Sequence, residues 1–163
     1  MTRQADKGSK AAAQARNYRR MVNAVNKVIT ALQRAGIVFG PMRLLTVTGR
    51  RSGVPRTFPI AVVPLNGGHY VVQAYPKAAW VANVRAADTV TLARGRRSST
   101  VRLVEVPVEE RRALLRELVR TQPASASRRL VTTGLADSPT PDGIASAAER
   151  IAVFRVTPSE KAS

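Results

Sequence analysis

Residues 44–56 read LLTVTGRRSGVPR, and this stretch decides the fold. The leucines and β-branched residues at its start predict a strand over residues 43–48. The next seven residues, 49–55, combine glycine, serine and proline with two arginines, which is typical of a turn. Residues 56–65 predict a second strand. The sequence therefore predicts a β-hairpin with an arginine-rich turn.

Further short elements follow this hairpin. Pro59 and Pro64 in the second strand indicate an edge or a bulge. We predict four more strands, over residues 69–75, 88–93, 98–106 and 151–156, and helices over residues 10–35, 77–87 and 143–149 and from Pro107 onward. Residues 121–143 show no strong periodicity. Because most strands follow one another directly, the pattern predicts an α+β domain or a small barrel rather than a parallel sheet.

The length of 163 residues fits one domain. We place it at residues 10–157, between a disordered basic tail at 1–9 and a frayed tail at 158–163. The polar N-terminus predicts a cytoplasmic protein. The helix over residues 10–35 carries an apolar stripe opposite a basic face. Two interpretations remain open, a helix packed on the domain and a peripheral helix that makes the protein membrane-associated.

Composition excludes several kinds of site. The chain has no Cys and one His, so it has no disulfide or thiolate site, and we expect no metal. Its formal net charge is +17, and residues 7–87 hold 13 Lys and Arg but no Asp or Glu. Such a field attracts polyanions, namely nucleic acid, acidic lipid or a phosphorylated cofactor. Since aromatic residues make up 4% and no nucleic-acid-binding motif is present, we expect no specific nucleic acid.

The turn is the best candidate for an anion site. Arg50, Arg51 and Arg56 supply guanidinium groups, which grip phosphate through paired donors. Ser52 adds a hydroxyl, and main-chain N–H groups in a glycine-containing turn can form an anion nest. A solvated basic hairpin is the other interpretation of the same residues.

The chain resembles the deazaflavin-dependent nitroreductase family, split β-barrel oxidoreductases that use coenzyme F-420. The resemblance spans about residues 18–156. It rests on the segment TGRRSGVPR at 48–56, on TFP at 57–59, on WVANVRAA at 80–87 and on VFRV at 153–156. It implies a split β-barrel of about six mainly antiparallel strands, with an N-terminal helix and flanking helices.

The resemblance also implies site residues. Those expected to bind the coenzyme are Arg50, Arg51, Ser52, Gly53, Arg56, Thr57, Phe58, Pro59, Lys77, Trp80 and Asn83. Arg50, Arg51 and Ser52 would hold its phosphate side, and Arg56 would approach the phosphate or the tail. Residues 57–59 would run beside its ring system and phosphoribityl chain. Lys77 would reach a carboxylate of its tail, while Trp80 and Asn83 would close the pocket. Tyr75 and Ser52 are the weak catalytic candidates, as proton donors.

Several side chains have a structural interpretation as well. Trp80 is equally a core anchor, Tyr75 a packed residue at a strand end, and His69 an exposed turn residue. Asn83 is a polar residue on an apolar helix and needs a partner there. The segment after the third strand is shorter than in many family members, and residues 121–143 contain no Tyr, Trp or Phe. Nitroimidazole reduction is therefore not expected.

We expect an oxidoreductase that transfers a hydride between reduced coenzyme F-420 and an unsaturated or quinone-like small molecule. The alternatives are a carrier of the same fold without fast turnover and a basic nucleic-acid-binding domain. FMN, or heme, is the alternative cofactor. A homodimer is expected by analogy with other split barrels.

Overall fold

The computed structural model describes residues 42–159, together with residues 16, 20, 27, 30 and 31. These five separate positions are helical and fall within the helix expected over residues 10–35. The rest of that helix, the tail at 1–9 and residues 160–163 lie outside the described residues.

Six strands and four helices make up residues 42–159. The strands are Met42–Thr48 (β1), Pro55–Leu65 (β2), Gly68–Val72 (β3), Val90–Arg94 (β4), Arg97–Glu105 (β5) and Val153–Pro158 (β6). The helices are Ala79–Arg85 (α1), Val108–Thr121 (α2), Ala124–Thr132 (α3) and Pro141–Ser146 (α4).

The six strands form a closed barrel in the order β1-β2-β3-β6-β5-β4. Every pair is antiparallel, and the ladder between β1 and β4 closes the barrel. Closure removes the free sheet edges that would otherwise expose unpaired backbone groups. The predicted α+β split-barrel fold is therefore confirmed.

The longest strand, β2, is shared between two partners. Its residues 55–61 pair with β1, and its residues 62–65 pair with β3. Pro59 lies opposite Leu44 of β1, and Pro64 lies opposite His69 of β3. Each proline thus lies in a part of β2 that pairs with one neighbouring strand only, so its missing N–H does not remove a hydrogen bond to a second strand.

Two apolar clusters meet on opposite faces of the sheet. On β6, Val153 faces one cluster and the neighbouring Phe154 faces the other, because successive strand side chains alternate. The cluster that contains Phe154 also contains Trp80 of α1. The cluster that contains Val153 joins β3 and β6 to α2 and α4 through residues such as Leu115 and Ile144. Helix α1 is therefore fixed by the barrel's own core.

Most element boundaries differ from the predicted ones by one to three residues, and three of the differences have a structural reason. Strand β3 ends at Val72 rather than at residue 75, because the buried Gln73 turns its amide to Tyr75 O and Ala152 N. Helix α3 lies in residues 121–143, for which no element was predicted because the sequence shows no strong periodicity, and its Ala- and Ser-rich sequence hides its short apolar face. Strand β6 reaches Pro158, where a frayed tail was expected, and Pro158 pairs with Val101 of β5.

Candidate functional site

The turn between β1 and β2 has a defined backbone. Gly49 N donates to Val54 O at 2.9 Å, and Gly53 N donates to Gly49 O at 2.9 Å. Val54 N donates to the Ser52 Oγ at 3.2 Å. A Cβ on Gly49 would lie 2.7 Å from that Oγ and 3.2 Å from Val54 O, so a side chain there would displace the Ser52 hydroxyl from its hydrogen bond. Gly53 has φ +68°, a backbone conformation that also favours glycine.

Asn83 of α1 anchors this turn to the barrel. Its Oδ1 accepts the main-chain N–H of Arg50 at 3.2 Å and the Arg50 Nη1 at 3.2 Å. The Asn83 residue is 3% exposed, so its amide is buried and the two donors meet the need for a partner. The contact sets the start of the turn and the direction of the Arg50 side chain.

Helix α1 contacts the barrel near its first residue and in its last turn. Trp80 is 3% exposed, and its ring centroid lies 5.6 Å from that of Phe154. At the last turn, Arg85 donates to Glu105 of β5 through Nε at 2.9 Å and Nη2 at 2.6 Å. This hydrogen bond with Arg85 is the main cause of a lowered pKa for Glu105. Asn83, between these anchors, has a fixed position relative to the barrel.

An open cleft of about 720 Å³ lies beside the turn. Two segments line it: residues 48–53, which include Arg50, Arg51, Ser52 and Gly53, and residues 86–89, which connect α1 to β4. Four of the predicted cofactor-binding residues thus line one cleft, and two of them, Arg50 and Arg51, are exposed cations.

The cations at the turn have no acidic partner. Within residues 42–159, neither Arg51 nor Arg56 forms an ion pair, and both are exposed. The described acids from Glu105 onward do pair with arginines, for example Asp142 with Arg116 at 3.0 Å. Positive charge at the turn is therefore available to a ligand, whereas that on α2 is largely neutralised.

The predicted residues of β2 lie next to the turn but outside the cleft lining. Arg56 is near the turn, with its Nε 3.6 Å from the Cβ position of Gly49. Thr57 shares a 3.0 Å hydrogen bond with Thr46 of β1. Phe58 is half-buried against the barrel core, and Pro59 is half-buried in the strand.

The other predicted residues are divided between core and surface. Trp80 lies in the core and does not line the cleft, which agrees with its interpretation as a core anchor. Tyr75 is 36% exposed, and Lys77 is exposed at φ +55°. Both belong to the connection between β3 and α1. His69 is exposed next to the hairpin turn, as expected.

Several cleft residues were absent from the predicted set. Thr48 and Gly49 precede the arginines, and the segment 86–89 forms the other side of the cleft. Gly49 was present in the turn motif, and its packing role depends on atoms five residues away. Asp88 is the first acid after Asp6, which is the one signal in the sequence that singled it out.

The described residues contain neither a metal cluster nor a membrane-spanning helix. Residues 42–159 contain no group of three or more His, Asp or Glu placed to hold a metal ion. No helix in the described part of the chain has the length and hydropathy needed to cross a bilayer.

Comparison with known families gives one match. The model of the F420H(2)-dependent quinone reductase family matches residues 12–135. No curated protein matches the chain.

The chain is similar to several solved structures, three of which are described here. One is described as a domain-swapped dimer and shares 23% identity, covering 82% of this chain and 97% of that chain with a TM-score of 0.45. An F420-H2 dependent reductase, FDR-A, shares 23% identity, covering 74% and 97% with a TM-score of 0.41. A putative 5-nitroimidazole antibiotic resistance protein from Bacteroides thetaiotaomicron shares 13% identity, covering 80% and 77% with a TM-score of 0.44.

Proposed function

Because this chain belongs to the F420H(2)-dependent quinone reductase family, we propose that it is an oxidoreductase that transfers a hydride from reduced coenzyme F-420 to a quinone-like small molecule. The observation that carries the proposal is the Arg50–Asn83 contact, which holds a cationic turn against an open cleft. Family membership supports the redox chemistry, and the cleft supports the binding of an anionic coenzyme.

The residues present fit that coenzyme. It carries a phosphate and a tail of carboxylates, so a matching site needs unpaired cations and N–H donors. The cleft offers Arg50 and Arg51, together with Ser52 at the same turn. Gly49 keeps the turn free of a side chain where the backbone closes. When bound, the reduced deazaflavin supplies the hydride that the acceptor takes up.

The protein's part is binding and orientation. Arg50 is directed by Asn83, so its guanidinium is positioned before the ligand arrives. Arg51 supplies a second cation, and Ser52 Oγ accepts from Val54 N, which leaves the hydroxyl hydrogen free to donate to a phosphate oxygen. Arg56 and Lys77 stay as candidates for the phosphate or the carboxylate tail. Gly53 allows the turn to close.

The flanking residues would shape the rest of the site. Thr57, Phe58 and Pro59 of β2 would run beside the ring and its side chain. Asn83 would act indirectly, by holding Arg50 through two hydrogen bonds. A proton has to reach the acceptor as well as the hydride. Ser52 and Tyr75 are the candidate donors, and water is the alternative because both side chains are solvent-exposed.

A hydride-transfer assay tests the proposal. Reduced coenzyme F-420 is mixed anaerobically with the protein and a panel of quinones and nitro compounds, and the change in deazaflavin absorbance is followed. We expect oxidation with quinones and none with nitroimidazoles. Tight binding of the coenzyme without its oxidation by any acceptor would refute the reductase and favour a carrier. Selective binding of FMN or heme would refute the choice of cofactor.

Assembly and location are separate proposals. We propose a homodimer, for which sedimentation velocity is the measurement, and a cytoplasmic protein, for which fractionation is. Contact of residues 10–35 with a membrane stays a prediction.

A further inference from the structure

Asp88 is the one acid in the cleft. Residues 42–159 contain eight Asp and Glu, and seven of them lie within 4.0 Å of an arginine nitrogen. Asp88 is the exception among these described acids, although Arg50 and Arg51 line the same cleft. In a chain of net charge +17, an exposed carboxylate left unpaired beside two arginines calls for an explanation.

The lining of the cleft is divided by chemistry. Residues 49–53 include guanidinium and hydroxyl donors, whereas Asp88 and Thr89 present a carboxylate and a second hydroxyl. A carboxylate only accepts hydrogen bonds, so it opposes an anion and favours a group that donates. Because Asp88 does not pair with Arg50 or Arg51, a ligand can meet both kinds of group at once.

We infer that Asp88 is a specificity-determining residue that makes the cleft select a phosphate ester of a polyol over a bare anion. The phosphate takes the arginine side, and a hydroxyl of the same ligand donates to the Asp88 carboxylate. The identification of that ligand with the phosphoribityl part of coenzyme F-420 rests on the proposed function. The selectivity itself rests on the cleft alone.

The two contributions of Asp88 predict opposite effects of one substitution. Asp88→Asn removes the negative charge and keeps a carbonyl acceptor. Inorganic phosphate loses a like-charge repulsion, so it should bind about threefold more tightly. The hydroxyl of ribitol 5-phosphate exchanges a charged acceptor for a neutral one and its hydrogen bond weakens, so this ligand should bind about fivefold more weakly in spite of the lost repulsion.

Calorimetric titration of the full chain at fixed ionic strength tests this. Wild type, Asp88→Asn and Asp137→Asn are each titrated with inorganic phosphate, ribitol 5-phosphate and oxidised coenzyme F-420. Asp137 is exposed, pairs with Arg150 and lies outside the cleft lining, so its substitution changes net charge equally. We expect opposite shifts for the first two ligands in Asp88→Asn and no shift above about 1.5-fold in Asp137→Asn.

Each other result overturns part of the reasoning. If Asp88→Asn tightens phosphate and ribitol 5-phosphate alike, or changes neither, the selectivity role is wrong. That result with coenzyme F-420 still bound leaves the proposed function standing. If ribitol 5-phosphate and phosphate shift in opposite directions but the coenzyme does not bind, the selectivity role stands and the proposed cofactor is wrong.

Discussion

Replacing Asn83 should release the turn from the barrel. In Asn83→Leu, a side chain of similar size fills the buried position, but the Arg50 main-chain N–H and the Arg50 Nη1 lose their common acceptor. A neutral hydrogen bond contributes about 1 kcal/mol and one from a charged donor about 1.5–3 kcal/mol. Because Arg50 is exposed, the second contact is taken at the lower end, and we expect the free energy of unfolding to fall by about 2.5 kcal/mol.

Urea denaturation measures this loss, and a titration with coenzyme F-420 measures its consequence. A turn without its anchor has to be ordered by the ligand, so the coenzyme should bind about tenfold more weakly. Asn83→Asp keeps both acceptor contacts and should retain most of the affinity. Thr46→Val removes the 3.0 Å bond to Thr57 in the same strand pair, so it should cost about 1 kcal/mol of stability without changing affinity.

Two outcomes would contradict the role of Asn83 as an anchor of the turn. If Asn83→Leu binds the coenzyme as tightly as wild type, Asn83 does not position Arg50. If Thr46→Val and Asn83→Leu weaken binding equally, the loss comes from destabilisation of the β1–β2 pair and not from the anchor.

Three further predictions concern the fold that carries the site. Arg111 is 5% exposed and donates to Val106 O and Ala148 O, so Arg111→Met should cost about 3–5 kcal/mol in urea denaturation; a neutral change would show that these contacts are dispensable. The Arg85 hydrogen bond lowers the pKa of Glu105, so its stabilisation is present above the ordinary carboxyl pKa and is lost as pH falls through the lower folded-state value. The stability difference between wild type and Glu105→Gln should therefore shrink below about pH 4.5, and a difference that is constant from pH 7 to 3 would contradict it. Gln73→Leu should cost about 2 kcal/mol, because Ala152 N loses its 3.0 Å acceptor, and an unchanged unfolding midpoint would exclude that role.

The sequence was sufficient to predict the barrel because its strands are local. The leucines and β-branched residues at the start of residues 44–56 and the glycines of the turn each act over a few residues, and the antiparallel pair of β1 and β2 follows from them. The family resemblance drawn from the same residues is confirmed by the match over residues 12–135. The sequence predicted that Asn83 needs a hydrogen-bond partner but not which residue it is, and the structure identifies that partner as Arg50.

What could not be predicted depends on long-range contacts. The second side of the cleft, residues 86–89, meets the turn because α1 packs on Phe154, a residue more than sixty positions away in the chain. Trp80 had two interpretations because an apolar aromatic residue at helical spacing suits a core and a pocket equally. Helix α3 was missed because its burial depends on tertiary packing rather than on an internal apolar repeat.

Whether the arginine turn seats the anionic end of the coenzyme is decided by one comparison of binding constants. Oxidised coenzyme F-420 is titrated against wild type, Arg51→Ala and Arg97→Ala at the same ionic strength. Both arginines are exposed and without an ion pair in the described chain, but Arg97 lies in the hairpin between β4 and β5, outside the cleft lining. We expect about tenfold weaker binding for Arg51→Ala and less than about twofold for Arg97→Ala. Equal losses in the two variants would mean that net charge alone attracts the coenzyme and that the turn is not its seat.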